Sequence, residues 1–216
     1  MLRQTHPTTN LIDATNNHSI AIVKDFYKNG HRHLQQTFAS EKLADRLNKI
    51  IVHDQLTEAE QAFISSQDMV FVSTVDEAGQ PTVSYKGGNP GFVKVLNERQ
   101  LAFPGYDGNG MFLTAGNIID STKIGLLFID FSSPNRLRVH GEASVQIENP
   151  LRDEYPESEY IVQIEITNIF VNCGRYIHPH KKIGTNQYVP QSGQKTPEPD
   201  WKSEAVFSDV LPTAKR

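Results

Sequence analysis

The sequence predicts a mainly β fold with helices, an α+β chain in which an antiparallel barrel lies beneath an N-terminal helical cover. Two observations carry this. The spacing of apolar residues is helical through the first 66 positions and strand-like afterwards. About six or seven strand candidates then follow with little helix between them, which suits an antiparallel barrel better than a parallel sheet. The expected organisation is a helical segment at 1–66 packed on the barrel, the barrel at 67–182, and an extended C-terminal arm at 183–216.

The elements follow in order. Ser19 can cap a helix through Ile20, Ile22, Val23, Phe26 and Tyr27 that stops at Asn29-Gly30, where glycine tolerates a left-handed helix end. Ser40 opens a second helix, with Leu43, Leu47, Ile50 and Ile51 on one face and Glu41, Lys42, Asp45, Arg46 and Lys49 on the other. Thr57 and Glu60 have capping-box spacing before Ala62, Phe63 and Ile64, so a third short helix is expected. Strands follow at Met69–Val75 and Pro81–Lys86, joined by a turn containing Gly79. Others are expected at Gly91–Leu96, Gln100–Phe103, Lys123–Phe131, Leu137–Ile147 and Tyr160–Val171, with a short helix-compatible stretch from Met111 to Asp120. The tail carries Pro190, Pro197, Pro199 and Pro212 and few apolar residues, so it is expected to run over the surface with Trp201 as its anchor.

Composition narrows the partners. The 21 basic and 25 acidic residues leave a net charge of −4, which disfavours a role built on neutralising nucleic-acid phosphates. No apolar run approaches the roughly 20 residues that span a bilayer, and Met1–Asn10 is too polar for a signal peptide. One cysteine, Cys173, allows no internal disulfide, and a cytoplasmic location with no membrane partner is expected. His178-Pro179-His180 lacks a nearby carboxylate and the usual zinc spacing, so no metal is expected. No serine nucleophile elbow is present, and no catalytic residue is assigned.

The chemistry-bearing feature is the loop Gly105-Tyr106-Asp107-Gly108-Asn109-Gly110, which opens a helix and could offer free N–H groups to an anion. The same composition also serves simple chain reversal. Lys86 ends a strand before two glycines, where it could meet a ligand or guard a sheet edge. Arg136 and Arg138 alternate along a strand, which on pattern alone is a solvated face.

A resemblance adds to these readings. The segments Ser84-Tyr85-Lys86-Gly87-Gly88, Pro90-Gly91-Phe92-Val93, Leu101-Ala102-Phe103-Pro104, Tyr106-Asp107-Gly108-Asn109-Gly110-Met111, Gly116-Asn117 and Gly125–Phe131 resemble the flavin-binding split-barrel proteins related to pyridoxamine 5′-phosphate oxidase. So do Arg136-Leu137-Arg138-Val139-His140-Gly141 and Asn172-Cys173-Gly174-Arg175-Tyr176-Ile177-His178, and the likeness runs from about Phe26 to Val210. It implies a six-stranded FMN-binding split β-barrel that forms a homodimer with FMN at the subunit interface, acting on a small-molecule substrate. It also implies cofactor contacts from Ser84, Tyr85, Lys86, Asn109, Gly110, Met111 and Asn117, with Arg136 and Arg138 as further contacts, Arg136 reaching the flavin of the other subunit.

Two departures bear on function. Phe112, Leu113 and Thr114 stand where the oxidase places an Arg-Lys pair for phosphate, so Asn109, Gly110 and Met111 N–H groups with Lys86 or Arg138 are the expected substitutes. The oxidase's C-terminal Arg-His grip on pyridoxamine phosphate has no counterpart after Val171. The expectation is therefore a flavin-dependent oxidoreductase of unidentified substrate. The alternatives are a non-catalytic module that holds flavin, haem or another planar ligand, and a barrel that keeps the dimer without the cofactor.

Overall fold

The structure, a computed structural model, describes residues 26–133 and 135–212. Four α-helices and seven strands occur in this region: α1 (Asn29–Thr37), α2 (Glu41–Ile51), α3 (Glu58–Ser66), β1 (Met69–Val75), β2 (Pro81–Gly87), β3 (Lys94–Asn97), β4 (Gln100–Tyr106), α4 (Leu113–Ser121), β5 (Lys123–Asp130), β6 (Asn135–Gln146) and β7 (Ser158–Val171). All seven strands form one antiparallel sheet in the order β2-β1-β5-β6-β7-β4-β3. The sheet curls into a split β-barrel whose two edge strands, β2 and β3, do not pair with each other. The count is seven rather than the six the resemblance implied, because Lys94–Asn97 pairs with β4 as a short strand of its own.

Alternation builds the barrel wall. In β1, Val70, Val72 and Thr74 are buried while their neighbours are partly open, and β5 repeats this with Ile124, Leu126 and Phe128. The apolar ones among these side chains meet Leu101, Phe103, Leu137, Val139, Val162, Ile164 and Ile169 in one core cluster. A fully buried Phe or Leu contributes about 1.5–3 kcal/mol, so this interior fixes the register of each strand. At the β6–β7 bulge, Gly141 lies so near Glu165 that an added Cβ would sit 2.6 Å from its carbonyl oxygen. Pro104 is tolerated within β4 because β3 pairs with β4 only through residues 100–102.

The helices differ from expectation in two places. Most of the expected helix Ile20–Tyr27 lies outside the described residues, and its last two members, Phe26 and Tyr27, are not helical. Asn29-Gly30 starts a helix instead of ending one: Lys28 is extended and donates its N–H to His31 Nδ1 at 2.8 Å, which caps α1. In α2 the stripe facing the barrel is Ala44, Leu47 and Ile51, whereas Leu43 and Ile50 stay 60% and 53% exposed. A helix resting on one strand through a single row of residues buries only that row. The third helix begins as expected, with Glu60 N–H donating to Thr57 Oγ1 at 3.3 Å and Thr57 N–H to Glu60 Oε2 at 2.9 Å.

A polar clasp ties this cover to the barrel. His53 N–H donates to Ile169 O at 3.1 Å, and Ile169 N–H returns a bond to His53 O at 2.7 Å. His53 Nδ1 lies 2.8 Å from Ile51 O and Nε2 lies 2.9 Å from Glu60 Oε2. Both ring nitrogens face acceptors, so the arrangement favours the doubly protonated ring. Burial opposes that charge, but the Glu60 hydrogen bond and carboxylate, helped by Ile51 O and Asp54, outweigh it and raise the His53 pKa.

Beyond β7 the chain has little regular structure and crosses the barrel surface. Gln191 Nε2 donates to Asn89 Oδ1 at 3.1 Å, Thr196 N–H donates to Glu157 Oε1 at 3.0 Å, and Lys202 pairs with Asp107. Trp201 packs edge-on against Phe207 at 5.5 Å. No described helix is long and apolar enough to cross a membrane.

Candidate functional site

The site grows from the start of α4. Gly110 (φ +78) and Phe112 (φ +50) both adopt left-handed conformations, and Asn109 Oδ1 accepts from Met111 N–H at 3.1 Å. These turns deliver the chain into a helix that opens at Leu113 with no capping side chain. Its first N–H groups, on Leu113, Thr114 and Ala115, have no backbone acceptor within the helix, so the positive end of the helix dipole is uncovered. The first turn of α4 thus adds uncapped N–H donors just beyond the expected 109–111, where the Met111 N–H is already engaged by Asn109 Oδ1.

β2 supplies the opposite wall. Its register pairs Thr82 with Thr74, Ser84 with Val72, and Lys86 with Val70, so these three β2 side chains share the inward face of β1. Ser84 Oγ lies 3.2 Å from Thr114 Oγ1, which brings β2 against the first turn of α4. Lys86 is one pleat further along the same face, about 7 Å from Ser84 along the strand. The lysine is half-buried and makes no hydrogen bond or ion pair with any described residue. Burial lowers its pKa.

Asn117 sits one turn into α4, 7% exposed, with Nδ2 donating to Thr74 Oγ1 at 3.1 Å and to Thr82 Oγ1 at 3.2 Å. Its amide hydrogens are thus directed at the helix–strand junction. Near the loop, Tyr106 packs with Ala102, Tyr155 and Ile161, and burial pushes its pKa up to about 12, so its hydroxyl stays neutral near pH 7.

The other sequence-identified residues lie on the opposite face of the sheet. Register runs from Tyr85 through Phe71 and Leu127 to Arg138 and Phe170, a row across β2, β1, β5, β6 and β7. Val139 and Leu137 point into the core, so Arg138 and Arg136 point outward, away from the face that carries Lys86. Arg138 lies over the Phe170 ring at 5.9 Å, and Arg136 Nη2 donates to Cys173 O at 2.6 Å while its buried Nε has no partner. Burial, and secondarily Arg136, lowers the Arg138 pKa; His140 is lowered by burial and by Arg138.

Within the chain, then, the fold gathers Ser84, Lys86, Asn117 and the 109–111 loop, and separates them from Tyr85, Arg136 and Arg138. Sequence reasoning missed Thr114, Thr82 and Thr74. The spacing of Thr114 and Asn117, three apart at a helix start, was the available signal; their strand partners needed the register. The gathered groups combine an uncapped helix N-terminus, two hydroxyls and a cation without a counter-ion among the described residues, a set suited to a phosphate or another small anion. Among the described residues, no group of three or more His, Cys, Asp or Glu side chains is placed to hold a metal ion.

The family model described as pyridoxamine 5′-phosphate oxidase matches residues 56–175, the stretch that holds the barrel and α4. No curated protein matches the sequence. Among solved structures, HupZ of Group A Streptococcus is similar at 22% identity, covering 54% of this chain and 93% of its own, with a TM-score of 0.45. An FMN-binding protein from Syntrophomonas wolfei is similar at 14% identity over 64% of this chain and 96% of its own, TM-score 0.42. HutZ, the haem storage protein of Vibrio cholerae, is similar at 16% identity over 54% of this chain and 94% of its own, TM-score 0.39.

Proposed function

This chain belongs to the pyridoxamine 5′-phosphate oxidase family, and on that premise we propose that it binds FMN and acts as a flavin-dependent oxidoreductase on a small molecule. The observation that carries the reading is Lys86, a half-buried cation with no partner among the described residues, on the strand face that meets the open N-terminus of α4. Burying a cation unpaired costs free energy, and a ligand phosphate removes that cost. The first-turn N–H groups of α4, Ser84 Oγ, Thr114 Oγ1 and Lys86 Nζ would hold the 5′-phosphate in place of the family's Arg-Lys pair.

FMN would supply the redox step, accepting two electrons from a donor and passing them to an acceptor. The chain's own residues bind, orient and shield. Asn109, Gly110 and Met111 shape the loop before the helix, and Asn117 fixes that helix on the barrel. Tyr106 offers a neutral hydroxyl beside the loop. Tyr85, Arg136 and Arg138 cannot join the Lys86 group within one subunit, so in this reading they belong to a homodimer in which the outer sheet face of one copy completes the cleft of the other. Val83, Tyr85, Met111, Phe112, Leu113 and Ile119 are 45–69% exposed, an apolar set that a second copy would cover.

Stopped-flow spectroscopy of the FMN-loaded protein tests the catalytic part. Bleaching of the flavin band by NADH or NADPH, and its return on adding oxygen or a quinone, is the expected result. Bound flavin that remains oxidised with each donor supports the non-catalytic binding role instead.

A further inference from the structure

We propose that Asn117 is a positioning residue for FMN, one that aims the first turn of α4 at the phosphate and so makes the site select FMN over riboflavin. The proposal rests on the FMN reading above. Along one side of α4, Thr114, Asn117 and Ser121 meet Ser84, the Thr74–Thr82 pair and Val75 O, at distances of 2.7–3.2 Å. A short helix needs no such row to stay attached, because Ala115 and Ile118 already bury an apolar stripe against the barrel.

The polar row instead supplies direction. Apolar packing tolerates small slides and rotations, whereas a hydrogen bond weakens steeply when its angle falls away. Rotating α4 by one residue, about 100°, would break every tie in the row. Asn117 is its centre and, like Thr114, is 7% exposed, and its single amide nitrogen bridges two strands. The helix N-terminus that it orients is uncapped and meets Ser84, with Lys86 one pleat further along the same face of β2. Small changes in its direction alter phosphate binding while leaving the ring contacts of a flavin unchanged.

Asn117→Ala is a usable test because Thr74 Oγ1 and Thr82 Oγ1 lie 3.2 Å apart and satisfy each other once the amide is gone. The full chain and its variant are titrated with FMN and with riboflavin by flavin fluorescence. The expected result is an FMN Kd raised at least tenfold in the variant, with the riboflavin Kd changed less than twofold. Thr82→Val, which keeps the side-chain volume and leaves Thr74 to accept from Asn117, should show the same FMN-specific loss at a few-fold level, and it decides the matter if the alanine variant does not fold. Equal losses for both ligands, or no loss for FMN, overturn the positioning role. Failure of the wild-type chain to bind FMN at all overturns the underlying reading, and is told apart by needing no variant.

Discussion

Replacing Lys86 with methionine should weaken FMN binding without harming the fold. The side chain is half-buried on the inward face of β2, opposite Val70, and has no anionic or carbonyl partner among the described residues. A hydrogen bond to a charged group contributes about 1.5–3 kcal/mol net, which corresponds to a loss of roughly 10- to 150-fold in affinity. Methionine keeps the apolar stem and removes only the charge. The unliganded variant should melt no lower than the wild type, since burial penalises the lysine charge and no described residue offsets it. Isothermal titration with FMN at two salt concentrations measures the first effect, and differential scanning calorimetry the second. The same titration repeated at rising pH should show binding weaken as the lowered Lys86 pKa is approached. An unchanged FMN Kd in the variant would refute the assignment of the phosphate to this wall.

Three further outcomes follow from the geometry. His53 has its pKa raised in the folded state, so its contribution to stability is complete below its unfolded pKa of about 6.5 and is lost as pH climbs through the raised folded value; urea unfolding at pH 6 and pH 9 should show that loss, and His53→Gln should flatten it. Gly141→Ala should destabilise by about 1–3 kcal/mol, because its Cβ would lie 2.6 Å from the Glu165 carbonyl oxygen, whereas Gly125→Ala, with nearest contacts of 3.9 Å, should melt like the wild type. Ile119→Glu, at a position 69% exposed on α4, should convert a dimer into a monomer in light scattering and abolish FMN binding with it; a variant that stays dimeric would move the interface elsewhere.

Much of the barrel was legible in the sequence because strand alternation is a local property. Met69–Val75 and its hairpin turn are read directly: Asp76 Oδ1 accepts from Gln80 N–H at 2.8 Å, and Gly79 takes the φ of +85 that the turn needs. The Thr57–Glu60 box was legible for the same reason. Asn29-Gly30 misled because a glycine marks either end of a helix, and the deciding contact, Lys28 N–H to His31 Nδ1, depends on one side-chain conformation. The buried face of α2 could not be read from its leucines, since the choice between Leu43 and Ala44 is made by β7, more than a hundred residues away. The candidate site divides in the same manner. Lys86 and the loop before α4 were visible as residues, but that Arg138 lies across the sheet from Lys86 follows only from the pairing of β2 with β1, β1 with β5, and β5 with β6. The resemblance points to Asn117 as a cofactor residue, and that it also bonds Thr74 and Thr82, 43 and 35 positions away, follows only from the fold.

The absorbance spectrum of the freshly purified chain, with mass spectrometry of what heating releases, tests the central claim most directly. The account predicts flavin bands in the visible and released FMN at close to one per subunit, or the same spectrum after FMN is added to a colourless preparation. A folded protein that carries no flavin and gains neither colour nor thermal stability with excess FMN would contradict it.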